Sequence, residues 1–140
     1  VSAFLAESFP TGSAGVGSDV RIYTPTLAAG KGWGDFDVQS TLSYSMPDHD
    51  EKKLGHQTGW NTALQYHLAR HYWPEIEYNQ IRYTYGPHDG QTQGVVTAGI
   101  VTKWPLQNRL AAVFGVGYQQ PVTSFHTYNH AVTATARLAF

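Results

Sequence analysis

The chain has 140 residues, a formal net charge of −1 and no cysteine, which suits one domain and excludes a disulfide scaffold, a thiolate metal site and a cysteine nucleophile. The near-balanced charge offers no electrostatic footprint for nucleic acid and no acidic tail. Charged residues are 14% and aromatics 14% with a mean hydropathy of −0.34; soluble domains carry ~25% charge and a membrane helix needs ~18 consecutive apolar residues, so the composition fits strands that present only half of their side chains to lipid.

Alternation of apolar and polar residues predicts about eight strands. The first, Val1 to Phe9, sets Val1, Ala3, Leu5 and Phe9 on one parity with Glu7 interrupting. After a long Gly-rich connection (PTGSAGVGS), the second runs from Asp19 to Ala29 and ends in a short turn, Gly30 to Gly34. The third, Asp35 to Met46, alternates most cleanly. Phe36, Val38, Leu42, Tyr44 and Met46 oppose Asp35, Asp37, Gln39, Thr41, Ser43 and Ser45, with Ser40 the one break in the apolar set. A long charged connection (PDHDEKKLGHQT) leads to the fourth, Gly59 to Tyr72, in which Trp60, Thr62, Leu64, Tyr66, Leu68 and Tyr72 alternate better than they form a helical stripe. Arg70 breaks that face near the strand end, where its stem can snorkel.

A tight turn around Trp73-Pro74 precedes the fifth segment, Glu75 to Tyr85. Its apolar parity switches from Ile76 and Tyr78 to Ile81, Tyr83 and Tyr85, and a β-bulge near Asn79-Gln80 would restore one face. The sixth, Thr92 to Trp104, follows GPHDGQ, and Pro105 to Asn108 is tight. The seventh, Arg109 to Gln119, sets Leu110, Ala112, Phe114, Val116 and Tyr118 against Ala111, Val113, Gly115 and Gly117; glycines on the second face indicate a crowded or curved interior. Gln120 to Thr127 is long, and the eighth strand, Tyr128 to Phe140, alternates Val132, Ala134, Ala136, Leu138 and Phe140 with mostly polar neighbours.

Long and short connections therefore take turns along the chain, as in outer-membrane barrels with long outer loops and short periplasmic turns. Trp33, Trp73, Trp104, Phe36 and Phe140 gather at the short-turn end and Trp60 at the other, an arrangement expected of membrane-interface girdles. Core aromatics of a soluble barrel, the competing assignment, have no reason to gather at turn ends. The chain lacks an initiator Met and a signal peptide and starts in the middle of a pattern, so it is expected to be a mature chain or a fragment.

The last strand, ending on Phe140, resembles the closing strand by which barrel-assembly machinery recognises outer-membrane proteins. PEIEYNQIRYTYGPHDGQTQ, VTAGIV and PLQNRLAAVFGVGYQQPVTSFHTYNHAVTATARLAF resemble the C-terminal half of a bacterial outer-membrane transporter-type barrel family, related to proteins named for a phenol-degradation meta-pathway. FPTGSAGVGSD resembles that family's loop after a strand. The resemblance implies an antiparallel transmembrane β-barrel of the bacterial outer membrane that takes up small, often hydrophobic compounds. Its partners would be membrane lipid, a small-molecule solute and the assembly machinery. Family members have about twelve strands, so this chain is either the C-terminal part of such a barrel or a shortened relative. An eight-stranded barrel is filled by its own side chains.

Asp37, Gln39, Gln65, His67, Glu77, Lys103, Arg109 and Arg137 take the polar parity and are the expected lumen-lining set, with opposite charges pairing in a narrow interior. Loop histidines His49, His56, His88 and His126 are expected to be solvated, and His67 and His71 lie too far apart along one strand, ~13 Å, to share an ion. No metal, cofactor or catalytic residue is assigned. Three functions are weighed: a channel for small molecules, a structural or adhesive barrel binding through its long loops, and a lipid-modifying enzyme. The last would be assembled from Ser124, His126 and Asp48 or Asp89, which no spacing selects. The glycine runs AGVGS and FGVGY lack the following helix of a phosphate loop.

Overall fold

The computed structural model describes residues 1–10, 20–107 and 109–140. It is all-β. Eight strands, β1 (Ser2–Ser8), β2 (Ile22–Trp33), β3 (Phe36–Pro47), β4 (His56–Tyr66), β5 (Tyr72–Tyr85), β6 (Thr92–Gln107), β7 (Leu110–Pro121) and β8 (Ala131–Ala139), pair antiparallel in strict chain order. A four-residue helix, α1 (Glu51–Leu54), sits in the connection between β3 and β4. No helix among the described residues is long and apolar enough to cross a membrane.

The expected closure into a barrel is not what the structure contains. Among the described residues no pairing joins β8 to β1, so the sheet is open and both outer edges are unpaired. It is nevertheless strongly curled. On β7, Phe114 is 52% exposed and Val116 53%, whereas Val113 is 5%, and Thr97, on the same face of β6, is 7%. Among the described residues no second layer packs on the sheet, so curvature is what shields one face and not the other. The shielded face carries the polar and small residues; Leu27, Leu42, Leu64, Ile76, Phe114, Val132 and Leu138 are exposed on the other. The accessible surface of 9692 Å² for a 15.5 kDa chain exceeds the roughly 7,200 Å² expected of a folded monomer of that mass. The uncovered apolar face contributes to that excess, as do the open edges of the sheet.

Several boundaries moved for local reasons. β2 continues four residues beyond Ala29 to Trp33, because Gly30 and Gly32, read as turn residues, make room for β3 side chains. A Cβ on Gly32 would lie 2.6 Å from Asp37 Oδ1. The turn is only Gly34 and Asp35, closed by the Trp33↔Phe36 pair, with Gly34 at φ 59°. Asp19 and the PTGSAGVGS stretch other than its Pro lie outside the described residues.

β4 ends at Tyr66 rather than Tyr72. The His67 N–H donates to the Asp35 carbonyl at 2.7 Å, and Ala69 bridges Tyr72, so the turn lies at Arg70 and His71. Trp73 and Pro74 belong to β5; Pro74 stands one residue past the last β4–β5 pair, Gln65↔Glu75, where the ladder on that side has ended. The bulge expected at Asn79-Gln80 is absent. β5 pairs with β6 without a break from Tyr72 to Arg82, and the irregularity lies at His56/Gln57. Ile81 and Tyr83 therefore stay on the concave parity instead of being returned to the outside.

Candidate functional site

The concave face is built as hydrogen-bonded rows of aligned residues. One row reads Gly32, Asp37, Gln65, Glu75, Gly99, Gly117 and Thr133 from β2 to β8; the next toward the long loops reads Gly30, Gln39, Ala63, Glu77, Thr97, Gln119 and Ala131. Period-two alternation forces this: once one residue of a row faces inward, its register partners must too. Long polar side chains come from β3 to β5, and glycines and small residues face them from β6 to β8. A Cβ at Gly99 would lie 2.7 Å from the Val116 carbonyl oxygen, and one at Gly115 2.8 Å from Thr135 Oγ1.

Between these halves lies a hollow of about 130 Å³ lined by Glu75, Glu77, Thr97, Gly99, Gly117, Gln119 and Thr133. At about 30 Å³ per water it holds roughly four. A second hollow of about 270 Å³ lies beside Gln39, Asn61 and Asn79 and shares Glu77 with the first. Glu77 thus lines both hollows. The amides hold the carboxylates: Gln65 Nε2 donates to Glu75 and Asn79 Nδ2 to Glu77 Oε2 at 3.5 Å. Gln119 Nε2 donates to Thr97 Oγ1 at 3.3 Å, and the Tyr128 hydroxyl donates to Gln119 Oε1 at 3.1 Å.

Asp37, Gln39, Gln65 and Glu77 come together on this face. Lys103 and Arg137 share it but lie apart, in one row across Val113, toward the short turns. Lys103 is four residues along β6 from Gly99, about 13 Å. The expected pairing of opposite charges is therefore corrected: among the described residues none of these acids lies within ion-pair distance of Lys103 or Arg137. Glu75 and Glu77 are instead partnered by neutral amides. His67 and Arg109 fall in turns. Trp33, Phe36, Trp60 and Trp104 take the convex parity, whereas Trp73 takes the concave one, its ring stacked on His67 at 4.8 Å and 5°. Phe140 follows the last strand and is fully exposed.

Glu75 was overlooked by sequence reasoning because Pro74 suggested a turn; its spacing of two from Glu77 was the available signal. Also overlooked was the mouth at the long-loop end. There Phe125 meets the Tyr83 ring edge-on at 5.8 Å and lies 5.3 Å from the His88 ring, and Gly94 N–H donates to Thr123 Oγ1 at 2.8 Å. The 122–130 connection is thereby folded back over the end of β6. His126 Nδ1 lies 3.0 Å from the Thr123 carbonyl oxygen, so its ring is engaged within its own loop. Among the described residues no three His, Asp or Glu side chains gather to hold a metal ion.

Comparison of the chain with protein-family models, with curated proteins and with solved structures returns no match.

Proposed function

We propose that this chain is the wall of a transmembrane β-barrel of the bacterial outer membrane, and that its polar concave face lines a passage for small molecules. The observation that carries the reading is the inverted distribution of polarity: the exposed convex face is apolar and the shielded face polar, the reverse of a soluble protein. A contiguous exposed apolar surface of this extent needs a cover, and bilayer hydrocarbon is a cover that wets every strand at once.

Strand length agrees. A tilted transmembrane strand needs ~9–11 residues; β2 to β7 have 11 to 16 and β8 has 9. Convex Trp33, Phe36 and Trp104 at the short-turn end and Trp60 and Tyr44 toward the long loops suit the two interfaces. Trp60, nearest the band, has its N–H occupied: Nε1 donates to Ser40 Oγ at 3.1 Å, and Ser40 Oγ in turn donates to the Asn61 carbonyl. In hydrocarbon such closed polar chains are required. The closing strand ending in Phe140 would be the element handed to the assembly machinery. Uptake of small molecules rests on the wet hollows around Glu77 and on the family resemblance.

Purified protein refolded in detergent should migrate differently before and after boiling, and in planar bilayers it should give discrete conductance steps. A detergent-free soluble monomer would end the membrane assignment, and an insulating inserted protein would end the passage while leaving the wall.

A further inference from the structure

The two ends of the sheet differ in charge. The short-turn end carries Lys31, Arg70, Lys103, Arg109 and Arg137 against Asp35, Asp37 and Glu75. The long-loop end carries Glu7, Asp48, Asp50, Glu51 and Asp89 against Arg21, Lys52, Lys53 and Arg82, and has ion pairs such as Arg21–Glu7 at 3.8 Å. Lys103, Arg137, Asp37 and Glu75 point to the concave side. That leaves Lys31, Arg70 and Arg109 as an outer collar with only Asp35 opposing them. All three are exposed, and among the described residues none is in an ion pair.

The collar is interleaved with aromatic rings held in place. Lys31 Nζ lies 5.2 Å from the Trp33 ring centroid. Trp104, 41% exposed, is stacked on His71 at 4.6 Å and 12°, and His71 is fixed by Nδ1 at 2.9 Å from the Lys103 carbonyl oxygen. Tyr72 meets Trp104 edge-on at 6.1 Å. Directly beyond these rings begins the apolar convex band. Arg70 and Arg109 stand at the turns, and Lys31, in one row with Val38 and Leu64, reaches the Trp33 ring from the band side; cations, indoles and hydrocarbon-facing side chains together are what the phosphate, glycerol and acyl chain of an anionic phospholipid match.

We propose that the short-turn collar of Lys31, Arg70 and Arg109 binds the headgroups of anionic phospholipids, an inference that rests on the membrane reading above. A free phosphate would satisfy the cations but not the rings or the band behind them. The collar therefore sorts lipids around the short-turn end and fixes the depth at which the sheet sits.

Refolded protein in phosphocholine micelles would be titrated with brominated phosphatidylglycerol and with brominated phosphatidylcholine, reading quenching of tryptophan emission. Phosphatidylglycerol should bind more tightly, by about fivefold at each cation, and 0.5 M salt should erase most of the difference. K31Q/R70Q/R109Q should remove the preference while both lipids still quench. Equal quenching by the two lipids in the wild type, a preference that survives in the triple variant, or equal displacement by water-soluble glycerol phosphate would each overturn the collar and leave the membrane wall standing. Absence of quenching by either lipid would overturn the wall itself. If the triple variant does not fold, the salt dependence of the wild type decides.

Discussion

The two faces of β7 differ by one residue of offset and by everything else. Phe114, Val116 and Tyr118 stand half exposed on one side; Gly115, Gly117 and Gln119 lie shielded on the other. Of the large side chains Tyr118 has a ring partner, His130 at 6.3 Å, while two of the three shielded positions are glycines. In a water-soluble sheet the sizes would be reversed, because the interior is where bulk stabilises. The difference teaches that size and polarity here answer to two different surroundings. On the membrane reading proposed above, bulk on the convex face serves a medium outside the protein. Smallness on the concave face serves curvature and leaves space for Glu75, Glu77 and Gln65 reaching across from the opposite strands.

The contrast can be broken most severely from the convex side. Val116→Arg should destabilise folding in lipid vesicles by about 2–4 kcal/mol, the range for a cation near the bilayer midplane, measured by reversible urea unfolding. A change below half a kcal/mol would mean that this face does not meet hydrocarbon. From the concave side, Gly117→Leu should weaken folding by about 1–3 kcal/mol through overpacking, since even a Cβ there would lie 3.0 Å from Thr97 Cγ2, and should reduce single-channel conductance. An unchanged conductance would detach the hollow from any passage.

Finer tests sharpen the same comparison. Glu77→Gln should lower the preference for cations over anions by about fivefold, taking ~1 kcal/mol for a charge at ~4 Å in water, read as a shift in reversal potential under a salt gradient with stability unchanged. The smallest effect belongs to Ser40→Ala. It removes the acceptor of the Trp60 N–H, and should destabilise by about 1 kcal/mol in vesicles. In a water-exposed sheet the indole would find solvent and the same change would be silent.

Much of this was legible in the residues. The alternation of Phe36 to Met46 against Asp37 to Ser45, and of Leu110 to Tyr118, gave the strands and the faces, because a period of two leaves no freedom once one face must be apolar. Glycines and prolines were the weak point. Gly30, Gly32 and Pro74 punctuate the sequence like turn residues but sit in strands, the first two because Gln39 and Asp37 need their space and the third because its neighbour has already ended. Such reasons lie on adjacent strands and leave no local trace. The parity change in β5 likewise looked like an inserted residue. The structure resolves it with an aromatic contact, Tyr83 against Phe125, about forty residues away in sequence. The charge separation between Glu75 and Lys103 needed register across β5 and β6, which strand alternation does not supply.

Strands that pair only with their immediate neighbours in sequence have a kinetic consequence. Pairing within the open sheet never has to wait for a distant part of the chain: each strand joins the one before it and offers its free edge as the template for the next. Low loop-closure entropy at every stage makes growth processive, like a zipper advancing from one seed. A fault in one hairpin then halts what comes after it without undoing what has already formed.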